Sequence, residues 1–270
     1  MIGVFDSGLG GLTVLRHFLV DYPQYDYIYL GDNANVPYGN KSPEIIYNYS
    51  QRAVDFLYSK GCKLIIIACN SASAQALRRL QQEYLPKKYP DLKVLGVVRP
   101  IAEKIAKNKN IKKIGIIGTK ATINSDVYRE EILQLRSDIK IFQIATPLLV
   151  PLIEEAWSKK PESKIILKKY LRELKMKQVQ SLVLACTHYP FLLKEIKRIM
   201  GKRCLVFDPG KVVSDSLGDY LRRHKELDLK ISKKGQYVFY VTDNITGFSE
   251  LGKFFLGREL WPLEKACLKD

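Results

Sequence analysis

Short runs of aliphatic and β-branched residues alternate along this chain with longer stretches whose apolar positions recur at helical spacing. Runs at residues 2–5, 27–30, 64–68, 94–98, 114–117, 141–144, 182–185 and 205–207 read as strands, and 237–241 adds another near the end. Helical patterns follow most of them: Leu12, Leu15, Leu19 and Tyr22 share one face, as do Leu77, Leu80 and Tyr84. Strand and helix in alternation predict an α/β fold, a parallel sheet covered by helices.

One internal similarity sharpens that picture. Residues 63–71 read KLIIIACNS and residues 180–188 read QSLVLACTH, each a buried strand ending in Ala-Cys and followed by small polar residues. Ligands of open α/β sheets sit beyond the carboxyl ends of the strands, so both thiols are delivered to the place where chemistry happens. The repeat predicts two similar parallel-sheet α/β domains facing each other across a cleft, with KNIKK at 109–113 as the seam between the copies.

At 270 residues, 46% of them hydrophobic, the chain can bury the core of one large or two smaller domains. No run of about 18 apolar residues implies a membrane span, and MIGVFDSGLGG lacks the charged and apolar regions of a secretory signal. A cytoplasmic location without membrane contact is therefore expected. Five cysteines (Cys62, Cys69, Cys186, Cys204, Cys267) are too few and too scattered for a disulfide framework. There is no C-x-x-C pair, and Cys186 with His188 lacks a second ligand pair among only three histidines, so no metal site is expected.

Lysine and arginine number 44 against 28 acidic residues, a formal charge of +16 concentrated at 159–177, 194–203 and 222–234. Such an excess attracts anions of many kinds. In the first stretch Ile166, Tyr170 and Leu174 share one helical face while Lys164, Lys168, Arg172 and Lys175 lie on another, which reads as a solvated helix. Without a recognition motif or interleaved aromatics, a nucleic-acid partner is disfavoured.

Two loops carry candidate chemistry. The first strand runs into Asp6-Ser7-Gly8-Leu9-Gly10-Gly11, where glycines let the backbone turn tightly and approach a ligand at a helix start. Its plainer reading is a turn capped by Asp6 or Ser7. The second strand ends in GDNANVPYGN at 31–40, an ordered loop whose N–H groups could hold a carboxylate or which simply buries an aromatic.

A cysteine after a strand is more often a small buried hydrophobe than a reactive group. Two in matching contexts change that balance. Cys69 opens a helical run and Cys186 has His188 two residues on, and a helix start or a histidine lowers a thiol pKa. Cys62 and Cys204 have no such polar neighbours and read as core; Cys267 reads as a tail residue. Inverting a stereocentre requires removing a proton from one face and returning one to the other, which two facing groups accomplish. A hydrolase or acyl transferase needs one nucleophile and a base and leaves the second thiol without work.

The motifs Asp-Ser-Gly-Leu-Gly-Gly at 6–11, Val-Pro-Tyr-Gly at 36–39, Ala-Cys-Asn-Ser-Ala at 68–72, Gly-Thr-Lys-Ala-Thr at 118–122, Val-Pro-Leu-Ile-Glu at 150–154 and Cys-Thr-His-Tyr-Pro at 186–190 together resemble bacterial glutamate racemase. The resemblance spans about four-fifths of the chain. It implies interconversion of L- and D-glutamate without pyridoxal phosphate, metal or other cofactor, supplying D-glutamate for peptidoglycan. It implies two α/β domains, 1–98 with the returning segment 209–270 and 99–208, with the active site between them. It makes Cys69 and Cys186 the two bases, Asp6 the assistant of the first and Glu154 and His188 of the second. Substrate would be held by Asp6, Ser7, Tyr38, Gly39, Asn70, Ser71, Thr187 and His188, together with Thr119 and Thr122, and less directly Asp32. Glutamate is the implied partner, and a homodimer is compatible with the family.

Three positions depart from the family pattern. Ser71 stands where threonine is usual, Arg99 where an acidic residue is common, and Thr242-Asp243-Asn244 replaces a segment that usually includes glycine and aspartate. Rival readings are an aspartate racemase of the same fold, a cysteine amidohydrolase built on Cys186 and His188, and a basic nucleic-acid-binding protein that kept a racemase fold. One methylene separates aspartate from glutamate, a difference that pockets discriminate by roughly 1–3 kcal/mol. The G-x-nucleophile-x-G elbow expected of many hydrolases is missing.

Overall fold

The computed structural model describes residues 1–268. Its strands form two wholly parallel sheets. The larger has the order β10-β9-β2-β1-β3-β4, where β1 is Ile2–Asp6, β2 Tyr27–Gly31, β3 Leu64–Ile67, β4 Lys93–Gly96, β9 Tyr237–Val241 and β10 Leu263–Lys265. The smaller has the order β6-β5-β7-β8, where β5 is Lys113–Gly118, β6 Lys140–Ala145, β7 Ser181–Ala185 and β8 Leu205–Val206.

The first four strands of the chain lie in the order 2-1-3-4 and the next four in the order 6-5-7-8, the same arrangement shifted by four. The KLIIIACNS and QSLVLACTH similarity is thus the trace of a structural repeat, because β3 and β7 occupy the same place in each sheet. Cys69 and Cys186 follow those strands. Strands β1, β2, β3 and β7 are buried at every position, as strands covered on both faces must be, and their sequences are accordingly continuous apolar runs.

Helices cover the sheets. The helix Pro43–Ser59 begins where Ser42 accepts a hydrogen bond from the Ile45 N–H and Pro43 supplies a preset first turn. A continuous apolar layer runs from Leu12, Leu15 and Phe18 through Leu167, Leu171 and Leu174 to Phe255, and includes residues from both sheets. Helix Pro209–Arg223 packs on Leu12–Asp21 and on Val98–Ala106, so the chain is stitched behind the cleft as well as across it. Among the described residues no helix is long and apolar enough to cross a membrane.

Some details differ from the sequence reading. The run at 94–98 contributes a strand only to Gly96; Val98 starts a helix whose third residue is Pro100. Proline is tolerated in a first helical turn, where its missing N–H has no intrahelical partner anyway, so an apolar run resembling one strand serves two elements. In helix Pro161–Met176 the buried stripe is Ser163, Leu167, Leu171 and Leu174, with Ile166 and Tyr170 only partly covered. Strand β10 has no counterpart in the pattern: it is a three-residue edge strand, Leu-Glu-Lys, two of them exposed. The helical run after Cys69 is also broken, with Asn70–Gln75 and Leu77–Arg79 meeting at Ala76.

Candidate active site

Beyond the carboxyl ends of β1, β3, β5 and β7 lies a pocket of about 200 Å³, below the roughly 300–1,000 Å³ typical of drug-sized ligands and suited to a small metabolite. Ser7, Tyr38, Gly39, Cys69, Asn70 and Ser71 line it from one half, and Thr119, Glu154, Cys186, Thr187 and His188 from the other. Larger grooves of about 590–660 Å³ lie elsewhere on the surface between charged side chains, and none of these gathers two thiols.

Two glycines of the glycine-rich turn make room for close packing, while Ser7 and Gly8 of the same turn line the pocket. A side chain at Gly10 would place Cβ 2.0 Å from Thr187 Oγ1 and 2.7 Å from His188 Nδ1, so this glycine admits the opposite half of the site. A Cβ at Gly11 would lie 2.5 Å from Cβ of Asp6. Neither Asp6 nor Ser7 caps the helix, which starts at Leu12 with Gly11 before it. Asp6 instead sits fully buried behind the pocket wall, accepting from the Gly8 N–H at 2.9 Å and from Thr187 Oγ1 at 3.3 Å. Thr13 Oγ1 lies 2.8 Å from the carbonyl oxygens of both Gly10 and Thr187, which locks the two halves at this seam.

The two thiols face different electrostatics. Burial pushes Cys69 up to about 12, and the neighbouring Asp6 carboxylate pushes the same way. Ser7 Oγ, 3.5 Å from Cys69 Sγ, and the N–H groups of Ala72 and Ser7 oppose this. The helix start was expected to lower this pKa; desolvation and Asp6 outweigh it, because a six-residue helix offers only a few N–H groups against complete burial. Asp6 is itself raised, chiefly by burial, with the charge of His188 opposing.

Around Cys186 a relay is built: His188 Nδ1 lies 3.8 Å from Sγ, and His188 Nε2 lies 2.9 Å from Glu154 Oε1. Burial works against the imidazolium, but Cys186 and Glu154 more than compensate and raise His188 to about 10. His188, with its pKa raised, therefore stands beside one thiol and the buried Asp6 carboxyl beside the other.

The remaining predicted residues divide into wall and support. The Ser71 hydroxyl lies 2.9 Å from Thr119 Oγ1 and 3.4 Å from Thr122 Oγ1, a hydroxyl cluster that bridges the halves. Thr122 is 1% exposed and stands behind Thr119, outside the lining. Tyr38 lines the pocket with its side chain buried while its hydroxyl donates to Asp32 Oδ2 at 2.6 Å, which fits the reading of that loop as one that buries an aromatic. Asp32 is buried and saturated by Tyr38, Asn35 Nδ2 and Thr242 Oγ1, which makes it an anchor of the loop with no reach to substrate. The segment Thr242-Asp243-Asn244 secures this loop and the element after it. Thr242 ties to Asp32, the Asp243 N–H donates to Asn33, and Asn244 caps the next helix. Arg99 pairs with Glu103 at 3.0 Å and Glu131 at 2.9 Å and is absent from the lining.

Sequence reading missed part of the wall: Val36, Pro37, Pro147, Val150 and Pro151 supply apolar surface, and Lys120 supplies a cation. Lys120 lay inside the recognised Gly-Thr-Lys-Ala-Thr motif, whereas nothing distinguished Pro147 from any loop proline. Among the described residues no cluster of three or more His, Cys, Asp or Glu side chains is placed to hold a metal ion. Cys62 and Cys204 are buried in the apolar layers and Cys267 is exposed.

The Asp/Glu/hydantoin racemase family matches residues 17–216. Glutamate racemase of Geobacter metallireducens is 38% identical over 268 residues, 99% of this chain and 97% of that one. The chain belongs to the glutamate racemases. The enzyme of a Sulfurihydrogenibium species is 40% identical over 95% of this chain and 94% of its own. Francisella tularensis glutamate racemase, solved in complex with D-glutamate, superimposes with a TM-score of 0.89 at 35% identity, covering 99% of this chain and 97% of that one. As a member of this family the chain is an amino-acid racemase, an isomerase acting on a small molecule.

Proposed function

We propose that this racemase interconverts L- and D-glutamate by moving the α-proton between Cys69 and Cys186, as a source of D-glutamate for peptidoglycan. The observation that carries the reading is the pair of thiols lining one pocket from opposite halves, in opposite electrostatic surroundings. We assign the halves to residues 1–98 with 209–270 and residues 99–208.

The reaction balances without any other reagent. One sulfur enters as thiolate and takes the α-proton as the C–H bond breaks; its electron pair passes onto the α-carboxylate. The other enters as thiol and returns its proton to the opposite face, which leaves the two protonation states exchanged. The Cys69 side favours the thiol, because it is buried beside Asp6, while Cys186 has His188 Nδ1 at 3.8 Å as its neighbour for proton exchange.

The α-proton is a weak acid, so most of the acceleration must come from preorganised donors at the carboxylate where charge accumulates. Ser7, Asn70, Ser71, Thr119 and Thr187 line the pocket and are the donors this reading assigns to that carboxylate, and Thr122 braces the cluster from behind. His188 and Lys120 supply positive charge against the lining carboxylate of Glu154, which suits a substrate with two carboxylates. Similarity to glutamate racemases over nearly the whole chain, including one solved with D-glutamate, supports glutamate over aspartate.

The test uses Cys69→Ser and Cys186→Ser in deuterium oxide. Each variant should lose racemisation by orders of magnitude yet retain exchange of the α-proton from one enantiomer only, and the two variants should select opposite enantiomers. Equal exchange from both enantiomers in either variant would overturn the two-thiol assignment. Comparable kcat/KM for aspartate and glutamate in the wild type would overturn the substrate.

A further inference from the structure

Of the pocket's polar side chains, Ser71 is engaged by two threonines, Tyr38 by Asp32 and Thr187 by Asp6, all through bonds within the protein. Asn70 is arranged differently. Its Oδ1 accepts a 2.6 Å hydrogen bond from the Tyr128 hydroxyl, and its Nδ2 has no hydrogen-bond partner among the described residues while the side chain lines the pocket. Tyr128 is 1% exposed, stands on the helix Val127–Leu135 of the opposite half and is absent from the pocket lining. Burial raises its pKa, so it stays a hydroxyl donor. An amide can present oxygen or nitrogen to a ligand; a buried phenol fixed on the oxygen leaves the NH₂ group for the cavity.

We infer that Tyr128 is a positioning residue that holds the Asn70 side-chain amide with its NH₂ turned into the pocket as a donor to a substrate carboxylate. The inference rests on the racemase reading of this pocket. It adds that a residue of the second half, out of reach of the substrate, orients a donor of the first half next to Cys69. The donor is therefore aligned only when the halves are packed together. Rotated the other way, the amide would present its carbonyl oxygen to an anion and repel it.

The experiment is a double-mutant cycle of Tyr128→Phe and Asn70→Ala, with racemisation kinetics and calorimetric D-glutamate binding as readouts. Loss of one hydrogen bond to a charged group predicts that Tyr128→Phe raises KM and the D-glutamate Kd by about tenfold. The acid and alkaline limbs of its pH profile should stay in place, since Tyr128 bonds to neither thiol. In the Asn70→Ala background the same change should have almost no effect on KM, because the amide it positions is gone. Unchanged KM and Kd in Tyr128→Phe, or equal effects of that substitution with and without Asn70, would overturn the clamp. If Tyr128→Phe lowered Tm and kcat while leaving affinity intact, its role would be packing alone, and the inference would fall. Wild-type turnover of glutamate decides the underlying reading separately from this cycle.

Discussion

Replacing Glu154 by Gln removes the charge that faces His188 Nε2 at 2.9 Å while keeping a side chain of similar size. His188 stands at about 10 against an ordinary 6.5, a rise to which both Cys186 and Glu154 contribute. A hydrogen bond to a charged group is worth about 1.5–3 kcal/mol. Glu154 has 38% of its side chain exposed, so solvent screening argues for the lower part of that range, about 1–1.5 pKa units at 1.36 kcal/mol per unit.

The variant's His188 should then titrate near about 8.5–9. Only three histidines occur in the chain, so nitrogen-15 histidine NMR can follow His188 against His17 and His224. The alkaline limb of kcat/KM should move down by the same amount. Because the two enantiomers are equal in free energy, kcat/KM must be the same in both directions, and the limb must shift identically from either side. Stability provides a second reading. A raised histidine stabilises the fold fully below its ordinary 6.5 and loses that contribution as pH climbs through about 10. The Tm deficit of Glu154→Gln should therefore be largest near neutrality and vanish above about pH 10. A wild-type His188 titrating near 6.5, or an unmoved His188 in the variant, would refute the relay.

Gly10→Ala forces a methyl group to within 2.0 Å of Thr187 Oγ1; we expect a loss of about 1–3 kcal/mol by chemical denaturation, together with a collapse of kcat. Near-wild-type turnover in this variant would show that the halves are not locked at the seam. Asp6→Asn removes a charge that raises Cys69, so alkylation of Cys69 by iodoacetamide, followed by mass spectrometry in a Cys186→Ser background, should accelerate at a given pH. Slower alkylation would mean that Asp6 acts on Cys69 otherwise than through its charge.

Much of the architecture was legible in the residue pattern because parallel strands buried on both faces must be almost continuously apolar, as Leu64–Ile67 and residues 182–185 are. The same rule hid what lacks that signature. Strand β10 is too short and too polar to register, and the helix at Val98 borrowed the tail of an apolar run. The site followed the same division. Cys69 and Cys186 were visible because a repeated strand delivers each to an equivalent strand end.

By itself the chain's pattern determined the α/β class, the repeat, the two thiols and, through short local motifs, the family. Those properties are local or periodic and so are written in consecutive residues. Tertiary structure alone decided that burial and Asp6 outweigh the helix start at Cys69 and that Glu154 meets His188 at 2.9 Å, since these groups act through space. It decided that Gly10 makes room for Thr187, that Asp32 braces a loop, and that Tyr128 reaches Asn70 from 58 residues away. Electrostatic and hydrogen-bond assignments depend on distances between segments remote along the chain, and only the folded chain brings those segments together.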